Sequence, residues 1–524
     1  MTAMRQLSQH DAAFLYSDNA HANSNVTLIH IYDQSTAPGG RIRFKDILAH
    51  IEGRLHQSPI FRQKLKRLPF DLDFPYWIED EYFDLEFHVR HIALPKPGDW
   101  RQFCIQVSRI HARPLDLNRP LWEMYVIEGL DSFVDLPPGS FAIVTKLHHA
   151  ALDVEHGSEI TSLLHDTSPQ PNPIEPPEPW YPETPPGELT MMARGLVGSV
   201  WPPSRLVRPG LNLVRTLAPM VSTFIHDVLN KPSRIVLTRF NAPVSPYRAF
   251  DTRRFPLADF KLIRNLVPGA RINDAVLAVC GGALRSFLDL QGELPEQSLW
   301  AMAPVYMRDA DSEAGDPREV AWIRVQLGTD IADPVERLRM IKEQTEHELL
   351  EHAVSATELT DTRHHASAAT LAFTSKFLTR AAMEVDKRAP RANCTITNVP
   401  GPSQPLYLIG ARMTYFSAIM PITDGMGLVF AVTSYDGKII VSPTFCREQM
   451  PEPELFAQAI RDSFQEYLAA AQSKVVPIRS APRRKAAAPV LIRGGRPEAK
   501  ANATRTPRTR ASGSSRTRNS GESA

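Results

Sequence analysis

An apolar run ends in two adjacent histidines at Lys146-Leu147-His148-His149-Ala150-Ala151-Leu152-Asp153, and a carboxylate follows the second histidine by four residues. Imidazole exchanges protons near neutral pH, so a histidine at a strand end suits general acid–base work. Neighbours on an extended chain point to opposite sides. One ring of the pair therefore faces a given cleft, and the other packs or hydrogen-bonds inward. Two other readings share these residues. Both histidines can simply close the strand as structural groups. If helix begins early, His149, Asp153 and His156 fall at i, i+4 and i+7 and offer three metal ligands on one face. No fourth ligand stands nearby, and the intervening Ala-Ala-Leu has no site-like character. The chain contains no G-x-S-x-G elbow, which argues against an acyl-enzyme on serine.

The elements that must position this pair are legible as periodicities. Arg41–Leu55 places Phe44, Ile47, Leu48, Ile51 and Leu55 on one helix face. Asp84–Leu94 alternates apolar and polar residues and predicts a half-buried strand. Leu121–Ile127 and Phe141–Leu147 predict further strands, and Trp122 within the former reads as core. Ile272–Leu290 predicts a buried helix, for which Asn273 is a natural N-cap. Trp300–Met307 and Trp322–Leu327 read as strands, and Asp333–Glu351 as a helix. Asn393–Val399, Met413–Pro421, Leu428–Tyr435 and Lys438–Thr444 alternate in the manner of antiparallel strands. Asp436-Gly437 predicts a hairpin turn between the last two, and Pro453–Ala471 a closing helix.

Between the two blocks, residues 166–190 carry nine prolines and predict a stiff, extended linker. Two interrupted amphipathic segments follow, about Leu189–Val200 and Leu211–Leu229, which pack on the protein or lie on a lipid surface. The expected organisation is a domain at 1–165, a linker with crossover helices at 166–234, a second domain at 235–473, and a tail at 474–524.

Composition separates the tail from the body. The tail holds 13 basic and 2 acidic residues, whereas the rest of the 524-residue chain holds 46 basic and 56 acidic. The tail is expected to be disordered. It lacks aromatic residues for base stacking, so nucleic acid is not an expected partner; an anionic lipid surface is compatible with its charge. Hydrophobic residues at 43% and charged residues at 22% exclude a collagen-like or wholly disordered chain. Cys104, Cys280, Cys394 and Cys446 form no C-x-x-C pair, which speaks against a zinc framework and fits a reducing compartment. The first thirty residues lack an apolar h-region, and no run of about 18 apolar residues occurs. A cytoplasmic protein is expected, in peripheral contact at most with the inner membrane or lipid inclusions.

His148-His149-Ala150-Ala151-Leu152-Asp153 resembles the HHxxxDG signature of CoA-dependent acyltransferases. Other segments narrow the likeness to the bacterial wax ester synthase/diacylglycerol acyltransferase family. Leu7-Ser8-Gln9-His10-Asp11-Ala12-Ala13-Phe14-Leu15 resembles its amino-terminal segment, and Asp84-Leu85-Glu86-Phe87-His88-Val89-Arg90 its strand motif. Arg119-Pro120-Leu121-Trp122-Glu123 resembles its PLW motif, Asn273-Asp274-Ala275-Val276-Leu277 its ND motif, and Asn398-Val399-Pro400-Gly401-Pro402 its NVPGP motif. The order and spacing run through roughly residues 4–470.

The resemblance implies an α/β fold of two chloramphenicol-acetyltransferase-like domains with a tunnel between them. It implies O-acyl transfer from a long-chain acyl-CoA to diacylglycerol or a fatty alcohol, with no metal or prosthetic group and no acyl-enzyme. His149 would be the general base beside His148. Asp153 would hold the loop through an arginine such as Arg308, and Asn273 with Asp274 would support the oxyanion or a nearby loop. Val154 stands where the signature has glycine, a departure that would alter the turn after Asp153. It leaves two other functions open. One is condensation-like transfer to a non-lipid hydroxyl or amine, and the other is a lipid-binding paralogue with weak turnover.

Overall fold

Two mixed sheets, each covered by helices, share no strand and meet where residues 411–419 of the first pack against residues 428–446 of the second. The computed structural model describes residues 5–68, 73–133, 136–152, 159–170, 179–182, 235–306, 320–355, 390–402 and 404–475, with Gly187 and Thr190. The amphipathic segments around 189–229 and the basic tail lie outside these apart from Thr190, Lys474 and Val475.

The first sheet has six strands. They are β1 (Asn25–Asp33), β4 (Val89–Ala93), β5 (Trp122–Glu128), β6 (Phe141–His148), β12 (Tyr407–Leu408) and β13 (Ala411–Ile419), in the order β12-β13-β1-β6-β5-β4. A small hairpin of β2 (Gln63–Lys66) and β3 (Tyr76–Glu79) lies apart. Successive β1 side chains alternate between two cores. Leu28 and Tyr32 join one that includes α2 (Phe44–Glu52), whereas Ile29 and Ile31 pack on the side of α4 (Trp100–Ala112). Trp122 is fully buried, as its strand position predicts, and its indole N–H donates to the Phe61 carbonyl at 3.1 Å.

The second sheet runs β10 (Val320–Gln326), β9 (Trp300–Tyr306), β11 (Cys394–Pro400), β14 (Leu428–Tyr435), β15 (Lys438–Cys446) and β7 (Arg248–Phe250), with β8 (Arg253–Pro256) also on β15. Helix α5 (Glu159–Leu164) places Ile160 and Leu164 in the core beside α2, and helices α6 (Leu257–Arg264), α7 (Ile272–Leu290), α8 (Pro334–Ser355) and α9 (Pro453–Val475) cover the second sheet. Helix α7 occupies the span its periodicity predicts. Asp436 and Gly437 both adopt positive φ, 45° and 72°, which closes the β14–β15 hairpin as expected.

Four expectations need correction. Asp84–Leu94 is not one strand: the Asp84 carboxylate accepts the Glu86 N–H and starts a single helical turn, α3 (Leu85–His88), before β4 begins. Strand β11 runs parallel to both neighbours, β9 and β14, not antiparallel. The cap of α7 is Arg271, not Asn273; the Asp274 carboxylate accepts the Arg271 N–H at 2.7 Å. Finally, β12 and β13 come late in the chain but pair in the first sheet, β13 directly on β1. An apolar alternation fixes which face a strand buries; it does not name the sheet that receives it.

The NVPGP segment sits at this junction. A Cβ placed on Gly401 would strike the Ser434 carbonyl of β14 and, at 2.8 Å, the Phe416 ring of β13. Only glycine lets the backbone pass between the two sheets there. Buried polar contacts complete the seam. Ser417 and Ser442 hydroxyls lie 2.7 Å apart, Thr433 donates to the Phe416 carbonyl at 2.8 Å, and the Thr252 and Tyr415 hydroxyls are 2.5 Å apart.

Candidate active site

Strand β6 delivers the histidine pair to its carboxyl end, where residues 149–151 turn into a short 3-10 helix. His148 is buried and committed on both ring nitrogens. Its Nδ1 accepts the Ala150 N–H at 3.1 Å, so Nε2 carries the proton and donates to Asp18 Oδ2 at 3.0 Å. His149 points elsewhere. It is half-buried, and its ring stacks on Phe14 with centroids 3.7 Å apart. Its backbone N–H donates to the Ser24 carbonyl at 2.8 Å.

Both partners of the pair come from one neighbouring unit. Phe14 lies on α1 (Gln9–Ser17), Asp18 caps the end of that helix, and Ser24 immediately precedes β1. Asp18 Oδ1 also accepts the Ser24 N–H at 2.7 Å, which closes the loop on itself. His21, in the same loop, reaches the second half of the chain. Its ring meets Asp424 at 3.2 Å, and its carbonyl accepts from Arg248 Nη2 at 2.8 Å.

Below the pair, the fully buried Lys146 braces β6 against α4. Its ammonium donates to the Ile110 and Arg113 carbonyls at 3.2 and 3.1 Å and meets Glu123 at 3.0 Å. Burial would raise the Glu123 carboxyl, but Lys146, the Tyr125 hydroxyl and Arg90 outweigh it and hold the group below its ordinary value.

The other expected residues divide. Asp153, Val154, His156 and Arg308 lie outside the described residues, and with them the metal reading of His149, Asp153 and His156. Asp274 is buried and bonds the Thr345 hydroxyl at 2.9 Å besides the Arg271 amide, which ties α7 to α8; burial raises its pKa. Asn273, half-buried, follows the first residue of α7. Among the described residues no group of three metal-ligating side chains occurs. All four cysteines are free and buried.

A cleft of about 190 Å³ opens where α4 faces β7 and the start of α9, lined on one side by Trp100, Ser108 and Arg109 and on the other by Arg248, Phe250 and Arg447. No helix of the described residues is long and apolar enough to cross a membrane.

Sequence reading missed Asp18, Phe14 and Ser24 as parts of the site. Asp18 is 130 residues from its histidine, and only the family-like segment that ends just before it could have drawn attention there.

Comparison with known proteins adds the following. Residues 7–276 match the profile of the wax ester synthase/diacylglycerol acyltransferase catalytic domain, and residues 319–467 that of the WS/DGAT C-terminal domain. A Mycobacterium tuberculosis H37Rv protein named "putative diacylglycerol O-acyltransferase" is 31% identical over 475 residues, covering 89% of this chain and 90% of its own. A second protein of that strain, with the same description, is 29% identical over 490 residues, covering 90% and 99%. Among solved structures, the wax ester synthase/diacylglycerol acyltransferase of Marinobacter aquaeolei VT8 superposes with a TM-score of 0.63 at 24% identity, covering 89% of this chain and all of its own. The trichothecene 15-O-acetyltransferase of Fusarium sporotrichioides gives 0.53 at 12% identity, covering 89% and 95%.

Proposed function

The chain belongs to the wax ester synthase/diacylglycerol acyltransferase family, and from that premise we propose that it transfers a long-chain acyl group from acyl-CoA to the hydroxyl of diacylglycerol, of a fatty alcohol, or of both. His149 is the general base. It takes the acceptor's proton as the oxygen attacks the thioester carbonyl. The tetrahedral oxyanion then collapses, the carbon–sulfur bond breaks, and the departing thiolate recovers the proton from His149. The ester and free CoA are the products, with no acyl-enzyme and no metal or prosthetic group required. The gain comes chiefly from holding donor and acceptor in one passage between the two halves of the molecule.

One observation carries the choice of base. His148 is buried with Asp18 on one nitrogen and the Ala150 amide on the other, so it cannot shuttle a proton without dismantling the turn. His149, half-buried and steadied by Phe14, is the ring of the pair suited to meet a substrate. In this reading Asp153 fixes the loop, with Arg308 as its partner. Asn273 supports the oxyanion or the loop near it, and Asp274 holds the start of α7. The oily acceptor is collected at a membrane or lipid-inclusion surface by peripheral contact.

The test is thiol release from palmitoyl-CoA with dipalmitoylglycerol or hexadecanol, and lipid analysis of the ester formed. His149→Ala is expected to lower kcat by about 10²–10⁴-fold; unchanged turnover removes the base assignment. Val154 supports a second reading, a lipid-binding paralogue of weak activity. That reading gains if the wild-type chain binds lipid without releasing thiol and Val154→Gly restores release. Thiol release without either ester favours condensation-like transfer to a non-lipid acceptor.

A further inference from the structure

The turn that carries His149 is held from one side by α1, and the contact between them has an uncommon geometry. The rings of Phe14 and His149 stack with centroids 3.7 Å apart and planes 17° apart, so the two faces overlap almost fully. Two neutral aromatic rings favour an offset or edge-on arrangement with centroids roughly 4.5–7 Å apart, because their electron-rich faces repel. Other histidine stacks of this chain keep to that spacing: His88 with Trp122 at 4.6 Å, His91 with Phe44 at 4.8 Å, and His30 with Phe416 at 5.2 Å. The surroundings of Phe14 impose the overlap. Its carbonyl accepts the Ser17 hydroxyl at 2.7 Å and the Ser24 hydroxyl at 3.1 Å, and the Ser24 carbonyl accepts the His149 N–H at 2.8 Å. Ser24 thus holds the backbones that carry both rings. Leu15 and Tyr16 of α1 join Ala150 and Ala151 in one apolar cluster, which presses the helix onto the turn.

A face-on stack that is poor for two neutral rings becomes favourable when one of them is positive. The aromatic face is negative, and a cation within about 6 Å of its centroid is attracted to it. In the reaction proposed above His149 acquires that charge. It is neutral before it takes the acceptor's proton and an imidazolium until the thiolate recovers it. The contact is therefore stronger in the transition state than in the ground state, which is the condition for an interaction to accelerate a reaction. Among the described side chains, the titratable and charged groups on α1, on the loop to β1 and on the end of β6 are Asp11, Tyr16, Asp18, His21, Lys146 and His148. Asp11 accepts the Ser8 hydroxyl at 2.6 Å, Asp18 is bonded to His148, His21 meets Asp424 and Lys146 meets Glu123, whereas Phe14 lies on the His149 ring itself.

We propose that Phe14 is a positioning residue whose ring face stabilises the imidazolium form of His149 during acyl transfer. The proposal rests on His149 being the base and adds how its charge is met. The test places mono-, di- and trifluorinated phenylalanine at position 14 of the full-length protein, which keeps the shape of the ring and progressively drains negative charge from its face. With palmitoyl-CoA and hexadecanol, kcat should fall stepwise, by about tenfold at the trifluoro ring, while KM for palmitoyl-CoA holds. The acid limb of the kcat profile should move to lower pH along the series, because the protonated imidazole loses an attraction that the neutral one never had. The same movement is readable without turnover, in the proton NMR titration of the His149 Cε1–H. Phe14→Leu, which fills similar space without a face, should behave like the trifluoro ring, and Phe14→Trp should retain the wild-type acid limb. Rates and titrations that stay flat across the series overturn the proposal. So does a Phe14→Leu enzyme as fast as the wild type, or an effect confined to KM, which would place Phe14 against the substrate instead. His149→Ala, measured alongside, separates the two claims. If that variant turns over normally, the base assignment fails. If it is inactive and the fluorinated series is flat, only the role of Phe14 fails.

Discussion

His148 and His149 are adjacent in sequence and different in circumstance, and the difference is set by one carboxylate. Asp18 accepts a hydrogen bond from His148 Nε2–H and, with its other oxygen, one from the Ser24 N–H; the Ser24 carbonyl in turn accepts from the His149 N–H. Asp18→Ala would leave a buried imidazole N–H without a partner at a cost of about 1–3 kcal/mol. It should lower kcat through the displaced His149 while changing KM for palmitoyl-CoA little, and Asp18→Asn, which can still accept the hydrogen bond, should recover much of the loss. A drop in KM-dependent binding alone would show that Asp18 serves the substrate and not the turn. The sequence displayed the pair and its strand because both are local. It did not display Asp18 or Phe14, because a hydrogen bond and a ring stack across more than a hundred residues leave no mark in spacing.

Elements were readable to the extent that burial on one face defines them. Helix α7 and strands β5, β6, β14 and β15 follow their apolar patterns closely. The stretch from Asp84 misled because a four-residue helical turn is too short to break an alternating pattern, and the capping carboxylate decided it. Strand direction was equally hidden: β11 lies between two parallel neighbours, and its side chains would alternate identically in an antiparallel pairing. Glycine placement gives a sharper test. Gly401→Ala forces a methyl onto the Ser434 carbonyl and the Phe416 ring and should cost about 1–3 kcal/mol. Gly53→Ala is the comparison, since its φ of −63° is ordinary and the nearest atom to a new Cβ is 3.4 Å away. Denaturant midpoints should fall for the first and hold for the second.

At the scale of the molecule, several buried histidines make stability depend on pH. Burial draws His165 down to about 4 and His111 to about 3, and His30 lies well below its ordinary value for the same reason. In the unfolded chain each takes up a proton near pH 6.5. Between that pH and about 4 the unfolded state therefore binds more protons. The stability they contribute is complete above 6.5 and is lost progressively as the pH falls through this window. Urea midpoints at pH 7.5, 6 and 5 should decline in that order, and a flat series would contradict it. His165→Gln, which spares the Tyr32 hydroxyl a partner at its Nε2 position, should lessen the slope.

The late strand β13 makes the two halves of the chain inseparable in a practical sense. It pairs with β1 from Thr27 opposite Ile419 to Asp33 opposite Arg412, with one bulge between Ile31 and Tyr32. A polypeptide truncated before Tyr407 would present that side of β1 as a naked template for self-association. Such a fragment should be recovered as aggregates when produced alone and as soluble material when the missing carboxyl-terminal portion is supplied in trans, a donor-strand complementation readable by size-exclusion chromatography.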